Sequence, residues 1–260
     1  MLKILKYSIY DLLRSRWSYV YFFFYLVLAF VLFFLNNDLD KAITTIMNIV
    51  VILTPLIGTI FGVMYYYNSK EFTELLLAQP IKRSTIFMGQ YLGISLSLTL
   101  SLVLGIGIPF VFYGLFHSAA IFNFSLLLLI GFFLNFIFVA LAFNIAVSVD
   151  NKIKGFGYAI LMWLFFAVIY DGIFMTLQMS FNEYPIDKFS LVATTLNPID
   201  LSRILIMLKL NLSALLGYTG AVFKEFYGSA LGFFVAMFIL FAWIFLPVLR
   251  LKSKLKQKDF

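Results

Sequence analysis

Asn68-Ser-Lys-Glu-Phe-Thr-Glu-Leu-Leu-Leu-Ala-Gln-Pro-Ile-Lys-Arg-Ser-Thr-Ile-Phe-Met-Gly-Gln-Tyr-Leu-Gly93 lies between two long apolar runs, so it reads as a polar interruption between two membrane spans. Glu71 and Glu74 open a short helical pattern, where acidic side chains meet the positive end of the helix dipole. Leu75, Leu76 and Leu77 give that helix an apolar side. Pro80 should end it, because proline lacks a backbone donor and disfavours a helical residue before it. Lys82 and Arg83 mark the exit, and Ser84 is the candidate cap of the following span. The interval 68–85 is then either an ordinary solvated loop or a handle: a short amphipathic helix, held by two membrane helices, that an outside protein can push.

The residues around this interval set the fold class. The 260 residues are 63% hydrophobic and 12% charged, with mean hydropathy +1.02. Soluble domains carry ~25% charged residues, so this chain has too few to cover a water-facing surface. Several runs exceed the ~18–20 apolar residues that cross a bilayer. The expected fold is all-α integral membrane, one domain over 1–260 with six transmembrane helices. The absence of cysteine excludes disulfides and thiolate metal sites. The net charge of +7 does not point to nucleic acid, because the basic residues flank apolar runs and are explained by membrane orientation.

Residues 2–16 repeat apolar side chains at Leu2, Leu5, Ile9 and Leu12 or Leu13, a helical spacing with one apolar face. Lys3, Lys6, Arg14 and Arg16 can lie toward headgroups, which predicts an elbow helix on the inner leaflet. No small-residue cleavage site follows the next apolar run, so this is not read as a cleaved signal peptide. Spans are predicted at 17–35, 43–67, 86–116, 121–149, 156–178 and 230–249, with polar turns at 36–41 and 150–155. Gly58 and Gly62 in the second span permit close helix approach, and Tyr65, Tyr66 and Tyr67 fit an interfacial aromatic belt. In the third, Ser97, Ser101 and Gly105 form a small polar stripe suited to helix packing or to a substrate path. Gly105, Gly107 and Pro109 predict a kink there. Asn135 and Asn144 in the fourth span are candidates for interhelical hydrogen bonds. His117, the one histidine, cannot form an H-E-x-x-H zinc site and is read as interfacial.

Asp171 interrupts the fifth span. A carboxylate inside an apolar run costs roughly 2.5–3.5 kcal/mol on insertion scales, less in the outer half where Asp171 lies, so it should face protein or water and find a partner. Residues 179–229 form the only long segment outside the expected spans. Asn197-Pro198-Ile-Asp200 is a helix start, with asparagine as cap and proline at the first helical position. Ile199 to Leu210 follows as an amphipathic helix carrying Arg203 and Lys209, and a second helix is expected over 213–227. Arg203 should pair with Asp200, three residues earlier; its reaching Asp171 instead is the sharper alternative. Met175 and Met179 are candidate Cu(I) thioether ligands, although core or lipid contact is the simpler reading in a chain with nine methionines. The sixth span ends at Arg250 in a basic stop-transfer tail.

Six spans put both termini on one side. The side with the elbow, 68–85, 150–155 and the tail holds 14 of the 19 Lys and Arg. The other holds 5, four of them in the long 179–229 segment, where charge weighs less. Both termini are therefore expected in the cytoplasm, with 179–229 facing outward.

Glu71-x-x-Glu74-Leu75-Leu76-Leu77-x-x-Pro80-x-x-Arg83, followed by Gly89-x-x-x-Gly93, resembles the first cytoplasmic loop of ABC-2-type transporter permeases. Phe72 departs from that pattern, since many members carry glycine there. Across almost the whole length the chain is similar to the NosY family of permeases, from the NosDFY systems that mature nitrous oxide reductase. The matching points are Leu13-Arg14-Ser15-Arg16-Trp17, Thr54-Pro55-Leu56, the loop above, Asp171, and Leu196-Asn197-Pro198-x-Asp200-x-x-Arg203. The resemblance implies that 68–85 is a coupling loop. Glu71, Glu74, Leu75, Leu76, Leu77, Pro80, Lys82 and Arg83 would dock into a separate NosF-like ATPase. It also implies periplasmic helices over 197–227, with Asn197, Pro198, Asp200 and Arg203 docking a NosD-like periplasmic protein, and a homodimer of permeases in the inner membrane. The expected role is a non-catalytic subunit whose motion, driven by ATP and Mg in its partner, serves copper-site maturation.

The chain contains no G-x-x-x-x-G-K-[ST] phosphate loop, so it cannot hydrolyse ATP by P-loop chemistry, and if it belongs to a pump the energy comes from another polypeptide. Other functions stay open. An ABC-2 exporter of a drug, lipid or glycan would use the same handle. A secondary transporter should show internal repeats, which the sequence does not display. An intramembrane metal enzyme would need more ligands than a lone histidine supplies.

Overall fold

In a lipid interior every backbone N–H and C=O must be satisfied within its own segment, which for long apolar runs leaves the helix. The computed structural model, which describes residues 2–14, 16–35, 39–180, 187–210 and 218–257, follows that rule: it is 92% helical with no strands among the described residues. Six of its helices are long and apolar enough to cross a membrane. They are α2 (Arg16–Leu35), α3 (Leu39–Asn68), α5 (Arg83–Phe112), α6 (Ile121–Ser148), the composite of α7 (Lys152–Leu164) and α8 (Tyr170–Ser180), and α12 (Ala230–Gln257). Around them lie α1 (Leu2–Arg14), α4 (Lys70–Leu77), α9 (Asp187–Thr195), α10 (Pro198–Lys209) and α11 (Tyr218–Tyr227).

The fourth span, α6, is the axis of the bundle, with 78% of its most apolar window buried. α3 lies along it through the Gly58 and Gly62 pair: a Cβ added at Gly62 would sit 2.8 Å from that of Ala142, and one at Gly58 3.5 Å from Val139 Cγ2. The third span meets α2 in the same way. A Cβ at Gly105 would fall 2.9 Å from both the Phe22 carbonyl oxygen and Tyr25 Cβ, and Ser97 and Ser101 are buried. The small stripe of that span therefore serves packing. α5 runs unbroken through Gly105, Gly107 and Pro109 to Phe112, so the kink expected there does not interrupt it, and the span stops four residues before 116. Gly114, at φ 83°, turns the chain into a 3-10 segment, Leu115–His117, whose histidine is exposed. Asn144 Nδ2 donates across helices to the Pro247 carbonyl at 2.8 Å, and Asn135 Nδ2 to Thr99 Oγ1 at 3.5 Å.

α1 is seated against α5. Gly89 and Gly93 face Ile4 and Ser8, and a Cβ at either position would come within 2.8 Å of them. The side chains of Leu2, Lys3 and residues 12–17 lie outside the described residues. α3 begins at Leu39, inside the expected 36–41 turn, of which residues 36–38 are not described. Ser84 is not the cap of α5, because the helix starts one residue earlier behind Lys82. α7 starts at Lys152, capped by the Asn151 side chain, so the second polar turn is shorter than 150–155. Tyr65 and Tyr66 do not form a belt at a lipid surface. Both are buried, with Tyr66 against Phe87 and Phe143, while Tyr67 donates to the Val149 carbonyl. The basic tail continues α12 to Gln257, because Leu251 and Leu255 are buried and the Lys254 amine donates to the Ser148 hydroxyl.

The largest departure concerns the segment between the fifth and sixth spans. α9 and α10 form a pair bent by 113°. Their turn reaches the level of the middles of the neighbouring spans: Trp243 Nε1 donates to the Thr195 carbonyl at 3.0 Å, and Asn197 Nδ2 to the Phe166 carbonyl at 2.8 Å. α10 packs against α3, α6 and α12 rather than lying outside them. The physical reason is its composition. Ile199, Leu201, Leu205 and Ile206 point to different sides of the helix and are all buried, and a helix apolar on most sides belongs inside. α11 packs on α9, where the buried Tyr227 hydroxyl donates to the Leu191 carbonyl at 3.1 Å, and burial pushes its phenol up to about 12. Residues 213–217 of the second expected helix lie outside the described residues.

Candidate functional site

Two constellations stand out, one at the α4 end of the bundle and one near the middle of the fifth span. The first is α4. Ser69 bridges it to α3 by donating its hydroxyl to the Tyr65 carbonyl at 2.7 Å, and the Thr73 hydroxyl bonds back to the Ser69 carbonyl at 2.8 Å. From below, Gln90 Nε2 of α5 donates to Thr73 Oγ1 at 2.8 Å, with both side chains buried. From the side, Phe72 stacks on Tyr7 of α1, with ring centroids 4.7 Å apart. The residue that departs from the ABC-2 pattern thus ties the short helix to α1.

What remains of α4 faces away from the protein. Glu71, Glu74 and Leu75 are exposed, Leu75 at 69%, and the exposed strip continues through Pro80, Lys82 and Arg83. Leu76 and Leu77 are half-buried. Lys70 and Glu74 form a surface pair at 3.9 Å, which contributes little. The helix ends at Leu77, three residues before Pro80, and 78–80 form the turn. The same end of the molecule gathers α1, the start of α7 and the end of α12, joined by Lys152 Nζ to Asn68 Oδ1 at 2.9 Å and by the Lys254–Ser148 contact.

The second constellation sits where the fifth span meets α10. Between α7 and α8 the span takes one π-helical turn, Phe165–Ile169. Such turns insert a residue into the bonding register and concentrate at functional sites. Asn197 caps α10 by accepting from the Ile199 amide at 3.0 Å, while its Nδ2 donates to the Phe166 carbonyl and to Asp200 Oδ2 at 2.6 Å. Arg203 Nη1 lies 2.9 Å from Asp171 Oδ2 and 3.5 Å from Asp200 Oδ1. Both pairings expected for Arg203 therefore meet at one guanidinium. Tyr170, beside Asp171, donates to the Ala193 carbonyl at 2.6 Å. The arrangement latches α10 and its turn to the fifth span through charge and through two carbonyl contacts.

Asn197, Pro198 and Asp200 are buried, so they organise the segment from within instead of presenting side chains to a partner. Met175 and Met179 are exposed on α8, one turn apart, and among the described residues no cluster of three His, Asp or Glu side chains could hold a metal. The Thr73–Gln90 bond and the π turn are structural features that the sequence reading did not single out. No family model matches the chain, and no curated protein matches it.

Proposed function

We propose that this chain is the permease subunit of an ABC-2-type transporter, levered by a separate P-loop ATPase at α4. The observation that carries this reading is the form of α4: a two-turn helix braced by Gln90 and Tyr7 from behind, with Glu71, Glu74 and Leu75 turned outward. A solvated loop needs no such bracing. Because the chain has no phosphate loop, an ATP-driven pump built on it would take its energy from another polypeptide. The charge asymmetry along the sequence favours a cytoplasmic α4, within reach of an ATPase. The fifth span, with none of its most apolar window buried, leaves a face for a second copy of the permease. Membranes carrying the tagged chain should yield a P-loop ATPase on purification, and Glu74→Arg combined with Arg83→Glu should remove it. Retained assembly in that variant contradicts the assignment of the handle.

The finer reading, a NosY-like role with a NosD-like periplasmic partner in copper-site maturation of nitrous oxide reductase, rests on the sequence resemblance. The buried positions of Asn197 and Asp200 shift the partner surface of that reading from these residues to the exposed ones around them. Copper need not touch this chain. Met175→Leu with Met179→Leu should leave the copper content of the purified complex unchanged, because both thioethers face outward on α8. A fall in stoichiometry, measured by metal analysis, would instead give them a ligand role. An ABC-2 exporter with another cargo shares every feature of the handle and differs in the partner on the far side.

A further inference from the structure

Where α12 passes α6 and the α9–α10 turn, a groove of about 410 Å³ opens toward the surface of the bundle. That volume falls within the range of ligand sites, ~300–1,000 Å³. Its walls are fixed on both sides, by Trp243 Nε1 to the Thr195 carbonyl and by Asn144 Nδ2 to the Pro247 carbonyl. One end is apolar, between Ile239 and the turn at Leu196. The other end carries a charge, the exposed guanidinium of Arg250. From Ile239 to Arg250 the helix rises about 16 Å at ~1.5 Å per residue, and half of a ~30 Å hydrocarbon core is about 15 Å. A second groove, 390 Å³ between α2 and α3, has no charged residue along it and carries no such argument.

We propose that the α6–α12 groove binds one anionic phospholipid from the leaflet on the α4 side. Its acyl chain would lie along Ile239, Ala242 and Leu246 and its headgroup at Arg250. Three features fit this occupant together: a groove one leaflet long, apolar through its depth, and basic only at the end that meets the headgroup region. Lys252 and Lys256 add exposed positive charge beyond Arg250, whereas Lys254 is engaged by Ser148. Basic residues at this depth attract anionic lipid. Because the chain end would touch Leu196 of the turn, the lipid would brace the α9–α10 pair from the side opposite the Asp171–Arg203 latch. The proposal depends on the membrane-spanning fold and goes beyond the ATPase reading.

The test uses the full chain without an ATPase, purified into mixed micelles with phosphatidylglycerol or phosphatidylcholine, with retained lipid counted by native mass spectrometry. Phosphatidylglycerol should be held in preference. Its apparent affinity should fall about fivefold in Arg250→Gln. Ala242→Phe should fill the groove and release both lipids, and Lys252→Gln, outside the groove, should weaken phosphatidylglycerol less than Arg250→Gln does. Equal retention of the two lipids by the parent chain, or retention that survives Ala242→Phe, overturns the proposal. A changed oligomeric state in Ala242→Phe with lipid still bound also overturns it, in favour of a second copy in the groove. If Ala242→Phe folds poorly, Arg250→Gln decides alone, and an unaltered lipid preference overturns the assignment. None of these outcomes depends on whether an ATPase assembles at α4.

Discussion

Arg203→Ala should lower the apparent melting temperature of the purified protein by roughly 5–10 °C, while Asp171→Asn lowers it by much less. The asymmetry follows from who is left behind. Removing the guanidinium strands two carboxylates, Asp171 and the nearly buried Asp200, beside each other at the end of the π turn. Breaking a fully buried pair costs about 3–5 kcal/mol. The side chains of Arg203 and Asp171 are 24% and 32% exposed, which reduces the figure to about 2–3 kcal/mol. At ~2–4 °C per kcal/mol for a chain of this size, the shift follows. Asp171→Asn leaves Arg203 with Asp200 still 3.5 Å away, so no charge is orphaned and the loss should stay within about 1 kcal/mol. Trp243, bonded to the Thr195 carbonyl at the turn, gives a fluorescence signal for local loosening of α9–α10 before global unfolding. The charge swap, Asp171→Arg with Arg203→Asp, should recover part of the loss. Equal losses for the two single variants would show that Asp200 does not hold Arg203 once Asp171 is neutral, and a swap no better than the sum of its parts would show that the latch contributes nothing.

How far these features could be read from the chain depended on whether their cause was local. Apolar run length is local, and the six spans and their order follow from it. The Gly58–Gly62 pair announces close approach, but its partner, Ala142, is named only by the fold. The cap at Asn197-Pro198 is equally local, and α10 begins where those residues say it should. The depth of that helix is not local. It is set by a carbonyl at Phe166 and an indole at Trp243, far away in sequence, and an apolar stretch of 10–14 residues is compatible with a surface helix or a re-entrant one. Tyr65 and Tyr66 misled for a similar reason: aromatic residues near a span end fit both a lipid interface and a packed seam. The tail beyond Arg250 carried a readable signal, since Leu251 and Leu255 are one turn apart, and the surrounding lysines masked it. Phe72, a departure from the ABC-2 pattern, becomes intelligible once Tyr7 is seen lying against it.

Thr73→Val should separate docking from transmission, leaving the ATPase bound but its work unfelt on the far side. The exposed strip from Glu71 to Arg83 is untouched by the substitution, so assembly should persist. What is lost is the bond from Gln90 Nε2 through which, on the proposed function, a push on α4 would reach α5 directly. With both groups buried, the orphaned amide of Gln90 costs about 1–3 kcal/mol, whereas removing both partners in Thr73→Val with Gln90→Met should be nearly neutral. Stability and coupling therefore part company in the double variant: its melting point should return toward the parent value while transmission stays broken. The chain has no cysteine, so a single reporter at Met179→Cys, on the exposed face of α8, can be labelled from the opposite end of the molecule. In the parent complex ATP should change the labelling rate at that position. In both Thr73→Val forms the rate should become indifferent to ATP although hydrolysis continues. An ATP-dependent rate preserved in the double variant would mean that force enters through the Phe72–Tyr7 stack and α1 instead, with Gln90 serving only to hold α4 in place.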